Sequence, residues 1–452
     1  MDSYSAAIAQ RPKHSLEFRR RRALNWLTLG FTYAAMYTAR YNFAFANKDL
    51  SDTYGFSKTE VGSIITFATL IYGLAAMFNG PLADRIGGRR AMLIGAVGAF
   101  VFNLAFGTAA YMGFSNTPTL LLGYLSTVWT LNMYFQSYSA LAVIKVNSAW
   151  FHVSERGVFS AIFGSMIQMG RFSVYALMTV PAVVALPWQW KFFLPSSFAA
   201  VFALLTFIFV KDTPQDARLG EFDTQDATSG DTEKITLNYV AKKIFTNPIT
   251  ITIACAEFCT GLVRKGFEEW FPRYMQEVQH LRLDNPIFQR NALTIVGAGV
   301  AGAFVAGTLS DKLFKTRRPP VAFIGYVLQV ICLAMVWQAP SMDIIIIAFA
   351  VNSFAISMVH SMLSGTASMD FGGKRAGATA AGMFDGMQYL GGSVMGWGMG
   401  AMLDAYGWGV WGPGMIAFSG IGAVLMIKLW NVVPKRTTAP IMTSAAAVQE
   451  TK

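Results

Sequence analysis

Arg40 and Arg264 each stand inside a long apolar stretch, one in each half of the chain, at matching places relative to a repeated loop motif. A guanidinium stays charged and presents paired N–H donors that match two phosphate oxygens, which a lysine cannot copy. Placing such a charge at membrane depth costs about 2.5 kcal/mol or more, so an intramembrane arginine marks a functional site by default. Two of them, placed by an internal repeat, point to a pair of cations converging on one buried anion. The competing reading is structural pairing of each arginine with a buried carboxylate. Tyr33 and Tyr37 precede Arg40 by seven and three residues and share roughly its helix face. Their hydroxyls either line the same cavity or pack the helix.

Further ionisable residues interrupt the apolar stretches. Arg171 is either a third cation for a more highly charged ligand or the neutraliser of Asp385. Asp385 itself receives a ligand hydroxyl or amine, holds a proton, or forms a structural ion pair. Glu257 lies seven residues before Arg264, two turns away on one face, and is expected to pair with a cation while the cavity is empty. His360 is of a type that titrates near neutral pH, set against a hydrogen-bonded packing role.

The elements that must position these residues are membrane helices. Of 452 residues, 54% are hydrophobic and only 13% charged, with 36 Phe and 23 Met, far from soluble-domain usage. Roughly twelve apolar runs of spanning length recur, at 24–46, 61–80, 91–112, 119–143, 158–184, 192–210, 249–270, 291–309, 320–339, 342–363, 377–402 and 408–430. The fold class is therefore all-α and polytopic, with twelve transmembrane helices. The net charge of +11 would suggest nucleic acid in a soluble chain, but here it marks topology and excludes that partner. Arg11, Lys13 and Arg19 to Arg22 precede the first span, which puts the N-terminus in the cytoplasm, and an even span count returns Lys435 and Arg436 to the same side. The loops carrying Arg85, Arg89 and Arg90, then Lys312, Lys315, Arg317 and Arg318, then Lys374 and Arg375 agree; Lys48, Lys58, Arg273 and Arg282 dilute the bias on the other side. No cleavable signal peptide is expected, since the first run is too long. Cys255, Cys259 and Cys332 all fall in apolar spans, which argues against a disulfide framework or a metal site.

The one long polar stretch, 211–246, divides the chain. The expected organisation is a cytoplasmic arm (1–22), a six-helix bundle (23–210), a cytoplasmic linker (211–246), a second six-helix bundle (247–432) and a cytoplasmic tail (433–452). Internal similarity supports the division. Gly80-Pro-Leu-Ala-Asp84-Arg85 follows span 2, and Gly307-Thr-Leu-Ser-Asp311-Lys312 follows span 8. Arg40 lies 40 residues before Gly80 and Arg264 lies 43 before Gly307, a coincidence that duplication explains. In such a loop Gly permits a tight turn, Asp accepts from a neighbouring helix end, and the basic residues stay at the cytoplasmic surface. This repeated signature resembles the major facilitator superfamily. The resemblance implies two pseudo-symmetric six-helix bundles, a substrate site between them near the bilayer midplane, and rocking of the bundles about that site.

A narrower resemblance rests on Gly30-Phe-Thr-Tyr33-Ala-Ala-Met-Tyr37-Thr-Ala-Arg40-Tyr-Asn42-Phe43 in span 1 and on Leu262-Val-Arg264-Lys-Gly266-Phe-Glu-Glu-Trp270-Phe-Pro272 in span 7. Asp212-Thr213-Pro214-Gln215 after span 6, and Ala376 to Gly382 with Tyr389-Leu-Gly-Gly392 in span 11, add to it. These segments are similar to the organophosphate:phosphate antiporters, the bacterial exchangers of glycerol 3-phosphate or hexose phosphate for phosphate. The resemblance implies that Arg40 and Arg264 grip the phosphate, that Gln136 faces the cavity, and that Lys145, near the cytoplasmic end of span 4, serves gating or the bundle interface rather than direct binding. It also implies a bacterial inner-membrane location, monomeric function and no cofactor. The chain departs from the family at Ile167 (a His in the exchangers), Ala76 (a Lys), Val296 (a Glu) and Ala140-Leu141-Ala142 (Trp-Pro-Pro), and it adds Arg171 and Asp385. The anion-binding core is kept while the surrounding charges are redistributed.

Exchange of an organic phosphate for inorganic phosphate is the leading expectation. Asp385, Glu257 and His360 sustain a second, a proton- or sodium-coupled symporter of a sulfonate or carboxylate. A non-transporting sugar-phosphate sensor is the third. Nothing points to an enzyme: the sequence has no nucleotide-binding loop, metal cluster or nucleophile triad.

Overall fold

The computed structural model describes residues 14–113, 117–152, 156–222, 248–314, 317–338 and 341–432; the side chains of 81, 84, 156–165, 311 and 365–382 are not among those described. Helix α1 (Leu16–Tyr54) starts where the Ser15 side chain accepts from the Phe18 amide at 3.2 Å and stops at Gly55, which takes the left-handed φ of 73°. A capping box formed by Ser57 and Glu60 opens α2 (Lys58–Ile86). Then follow α3 (Gly88–Thr108), α4 in two segments (Pro118–Gln136 and Tyr138–Trp150), α5 (Arg156–Met178) and α6 (Trp190–Phe209). The second half comprises α7 (Pro248–Glu277), α8 (Pro286–Lys312), α9 (Pro319–Trp337), α10 (Met342–His360), α11 (Ala367–Tyr406) and α12 (Trp411–Lys428), with a π-helical stretch, Ser361–Thr366, joining α10 to α11. Proline opens α4, α8 and α9, where its missing N–H is no loss.

Seven of these helices are long and apolar enough to cross a membrane by length and composition alone. Helices α1 and α7 fall outside that group because they carry the polar and ionisable residues of the site.

Packing repeats with a shift of six helices. In the first half α1 lies against α5 and α6, α2 against α4, and α3 against α4 and α6; in the second α7 lies against α11 and α12, α8 against α10, and α9 against α10 and α12. Each pairing in one half has its counterpart in the other. The halves meet through α1–α7, α2–α11 and α5–α8, and the last two exchange under the same shift. The twelve helices thus form two pseudo-symmetric six-helix bundles.

Glycines set how closely the central helices approach. A Cβ on Gly261 would sit 1.8 Å from the Gln388 carbonyl oxygen, and one on Gly391 would sit 2.0 Å from that of Phe258. The backbones of α7 and α11 therefore touch, which brings Arg264 to Gln388.

Where α3 begins, Gly87 has φ 89° and packs against the Asp212 carboxylate, which accepts from the Arg89 amide at 2.7 Å. Asp212 thus satisfies the start of α3. The side chains of Asp84 and Asp311, the loop aspartates expected to accept from a neighbouring helix end, are outside the described residues, while Arg85 and Lys312 are exposed. The start of the polar stretch is fastened to the first half, with Asn25 accepting from the Lys211 amide at 2.7 Å and Trp150 donating to the Lys211 carbonyl at 3.0 Å. Residues 223–247 of the expected linker, and the terminal segments 1–13 and 433–452, lie outside the described residues.

Candidate functional site

Helix α1 is buried on every side from Thr32 to Asn47. Arg40, 3% exposed, sits in the middle of this run. Its Nε donates to Gln136 Oε1 at 3.0 Å, one terminal nitrogen donates to the Tyr72 hydroxyl at 3.1 Å, and the other to Ser139 Oγ at 3.0 Å and the Gln136 carbonyl at 3.4 Å. The guanidinium also lies over the rings of Tyr72 and Tyr37, 4.7 and 5.1 Å from their centroids. These partners are neutral, and among the described residues no carboxylate pairs with Arg40. Structural pairing with an acid is thereby set aside for this arginine.

A buried amide network holds the site in place. Asn103, Asn132 and Gln136 all donate to the Ala39 carbonyl, at 2.9, 3.1 and 2.9 Å, and Asn42 donates to Asn103 at 2.9 Å. Gln136 is thus a fully buried brace for Arg40 rather than an open cavity wall. Tyr33 and Tyr37 meet edge to face at 5.1 Å, and Tyr37 stacks on Tyr41 at 5.4 Å. Both are buried, and the Arg40 guanidinium lies over the Tyr37 ring.

Arg264 has different company. Its Nε donates to Glu268 at 3.1 Å, and a terminal nitrogen donates to Gln388 Oε1 at 2.8 Å. Glu268 is shared, bridging Arg171 from the other half at 3.1 Å and approaching Lys265 at 3.9 Å. Lys265 pairs with Glu269 at 3.0 Å and lies 4.7 Å from the Tyr41 ring across the interface. Tyr72 and Tyr389, one from each half, pack with centroids 4.4 Å apart. Tyr37 and Tyr389 lie within electrostatic reach of both Arg40 and Arg264.

Several expectations change. Glu257 does not pair with Arg264 or another cation among the described residues; it accepts from Gln388 Nε2 at 2.9 Å, and its Oε1 is unpaired. Seven residues amount to about 10 Å of helix rise, too far for direct contact, whereas Glu268 one turn along is within reach. Arg171 neutralises Glu268 rather than Asp385, and Asp385 accepts from Ser364 instead. His360 Nδ1 lies 2.8 Å from the same Gln388 amide nitrogen that serves Glu257, so Nδ1 is the acceptor there and His360 belongs to the hydrogen-bonded framework. Lys145 is half-buried at the far end of α4 from Pro118, away from the arginines.

Tyr72, Ser139 and Gln388 are not marked by the sequence, and Lys265, Glu268 and Tyr389 enter it only as members of the family-like motifs, without a role in the site. A signal existed for some of them: Arg264 and Glu268, Lys265 and Glu269, and Arg273 and Glu277 are all opposite charges four residues apart on one helix. Hydroxyl and amide partners from other helices carried no such mark.

Among the described residues, several polar contacts between the halves lie at the ends of the helices farthest from Leu16. There Lys58 pairs with Glu277 at 3.2 Å, Arg273 donates to Asn47 at 2.7 Å, and Gln289 to the Thr179 carbonyl at 2.8 Å. Asp404 accepts from the Lys58 and Thr59 amides at 3.0 and 2.7 Å.

Twelve helices in two like-wound halves, meeting around buried cations, define a polytopic membrane carrier. Residues 29–396 match the Major Facilitator Superfamily, and the chain belongs to that family, whose members are transporters and not enzymes. It is 26% identical over 429 residues to the glycerol-3-phosphate transporter of Bacillus subtilis (strain 168), covering 93% of this chain and 94% of that one. Over 423 residues it is also 26% identical to the membrane sensor protein UhpC of Escherichia coli (strain K12), covering 90% and 91%. The phosphoglycerate transporter protein of Salmonella typhimurium is 24% identical over 84% of this chain and 83% of its own. In fold, the chain is similar to a bacterial homologue of the human lysosomal transporter Spinster, in its inward-facing and occupied conformation, with TM-score 0.73, 11% identity, and coverage of 94% and 100%. The resemblance to organophosphate:phosphate antiporters drawn from spans 1 and 7 agrees with these relatives.

Proposed function

We propose that this carrier exchanges a small organic phosphate for inorganic phosphate across a bacterial inner membrane by alternating access. The observation that carries the reading is Arg40, a buried guanidinium held wholly by neutral groups, with Tyr37 and Tyr389 in electrostatic reach of both it and Arg264 of the other half. Such a cation gains most from a doubly charged, multi-oxygen ligand, because the cost of burying it is otherwise unmatched. Arg264 is held by Glu268 while the site is empty. An arriving phosphate competes with that carboxylate, and loosening the Arg264–Glu268–Arg171 bridge frees a contact between the halves. Binding energy is thus coupled to reorientation. Glycerol 3-phosphate and phosphoglycerate, named for two relatives, are the reference substrates.

In this reading both termini are cytoplasmic, 23–210 and 247–432 are the rocking bundles, 211–246 is their cytoplasmic linker between the 1–22 arm and the 433–452 tail, and one copy of the chain suffices. Arg40, Arg264, Tyr37 and Arg171 contact or neutralise the anion, and Gln136 and Gln388 aim the arginines. Tyr33, Glu257 and His360 support them from behind. Lys145, Arg85, Lys312, Asp84 and Asp311 belong to the cytoplasmic gate.

The test is efflux of labelled phosphate from liposomes containing the purified protein, with organic phosphates added outside. Efflux triggered by a phosphate ester and lost in both Arg40→Lys and Arg264→Lys is the expected result. Flux that follows a proton or sodium gradient without phosphate on the opposite side would replace exchange with coupled symport. Binding without flux would favour sensing, the role named for the Escherichia coli relative.

A further inference from the structure

Resting on that reading of the site, we infer that the organic end of the substrate carries a cationic amine read by Asp385, so that the preferred solute is a short aminoalkyl phosphate or phosphonate. Asp385 stands in mid-α11, three residues from Gln388, the residue that holds Arg264 at 2.8 Å. Three residues along a helix share a face and differ by about 4.5 Å in height. That is about the separation of an amine nitrogen from a phosphoryl group across a two-carbon linker.

Asp385 is partly exposed and stands one turn before Tyr389, which packs on Tyr72 of the other half, so by helix geometry it shares the face of α11 that meets the first half. Ser364 donates to Oδ1, and among the described residues no cation comes within ion-pair distance of either oxygen. Glu257, wholly buried with Oε1 unpaired, is no partner for Asp385 and accepts instead from Gln388. A mid-membrane carboxylate is costly unless something positive answers it. The protein's own cations are committed elsewhere: Arg171, Arg264 and Lys265 bridge Glu268 and Glu269. With Arg40 included, that cluster has two more positive charges than negative, which suits a phosphate dianion. One negative group left facing the cavity suits one positive charge on the same solute. A stored proton would be the other answer, but Asp385 shares the Tyr389 face of α11 toward the first half, where a ligand between the halves meets it.

The experiment uses the full-length protein in phosphate-loaded liposomes, comparing 2-aminoethyl phosphate with 2-hydroxyethyl phosphate as external solutes that differ only at the end group. The expected result is a half-maximal concentration at least about tenfold lower for the amine, a ratio that collapses towards unity in Asp385→Asn and is largely kept in Asp385→Glu. Equal potency of the two esters in the unmodified protein, or a preference that survives Asp385→Asn, overturns the inference. So does proton flux accompanying uptake of both esters that disappears in Asp385→Asn, since Asp385 would then be a proton carrier. Phosphate-for-phosphate exchange by the unmodified protein is measured beside them. If that exchange is present without amine preference, this inference alone fails; if it is absent, the proposed exchange fails.

Discussion

At the scale of single residues, the two arginines are not equivalent, and the difference has a measurable consequence. Arg40 is kept by Gln136, Tyr72 and Ser139, none of which can take its charge, while Arg264 shares Glu268 with Arg171 and Lys265. A phosphate approaching Arg264 must therefore compete with a carboxylate already in place. Replacing Glu268 by Gln removes that competitor, and equilibrium binding of inorganic phosphate to the purified protein should tighten by about tenfold. Turnover should fall, because the product leaves more slowly. Weaker binding in Glu268→Gln would mean instead that the carboxylate aims Arg264 more than it blocks it. The pair of arginines was legible in the sequence because a guanidinium in an apolar run stands out against hydropathy. Glu268 is legible from its four-residue spacing to Arg264, whereas the seven-residue spacing of Glu257 puts it on the same face but two turns away, out of contact. The partners of Arg40 could not be read, since Tyr72, Gln136 and Ser139 come from different helices and only folding brings them together.

At the scale of helices, the site depends on how closely α7 and α11 approach, because Gln388 must reach Arg264, Glu257 and His360 together. Gly261 sits against the Gln388 backbone itself, so any side chain there pushes the two helices apart. Overpacking of this kind costs about 1–3 kcal/mol where the neighbour cannot yield, and backbone yields least. Gly261→Val is expected to lower the melting temperature in detergent by several degrees and to weaken phosphate binding at least about tenfold. Gly297→Ala on α8, where a Cβ meets open space, should change neither. A Gly261→Val protein that binds phosphate normally would show that the Gln388 bridge is dispensable. The repeat was legible at this scale from two loop motifs and the matched spacing of two arginines, and the six-helix shift in packing follows from it. Which glycines of span 11 are crowded was not, because the sequence shows a row of small residues without showing which ones face α7.

At the scale of the whole molecule, the ends of the helices farthest from Leu16 are drawn together, and Asp404 is the group through which pH acts on that closure. Burial by itself would raise the Asp404 carboxyl, but the hydroxyl and amide of Thr59 and the amide of Lys58 donate to it and hold it below the ordinary carboxylate range. A carboxyl lowered by contacts made only in the closed arrangement stabilises that arrangement at every pH above its ordinary value. The contribution is lost as pH falls through the ordinary value towards the lowered one. Acid should therefore open this end of the carrier, with Lys58–Glu277 resisting for as long as Glu277 stays charged and Arg273–Asn47, whose groups do not titrate in this range, resisting throughout. Spin labels at Thr53→Cys on α1 and Tyr406→Cys on α11, with Cys255, Cys259 and Cys332 replaced, report the separation of the two halves at this end. The fraction of widely separated pairs should be small at neutral pH and grow steadily below about pH 4. In Asp404→Asn the separated fraction should already be raised at neutral pH and respond less to acid, since the amide can no longer accept as a carboxylate does. A distance distribution unchanged both by acid and by Asp404→Asn would leave the closure to the Tyr72–Tyr389 contact and the glycine-lined α2–α11 crossing. Those hold the halves together through shape, and only substrate-driven rearrangement would then part them.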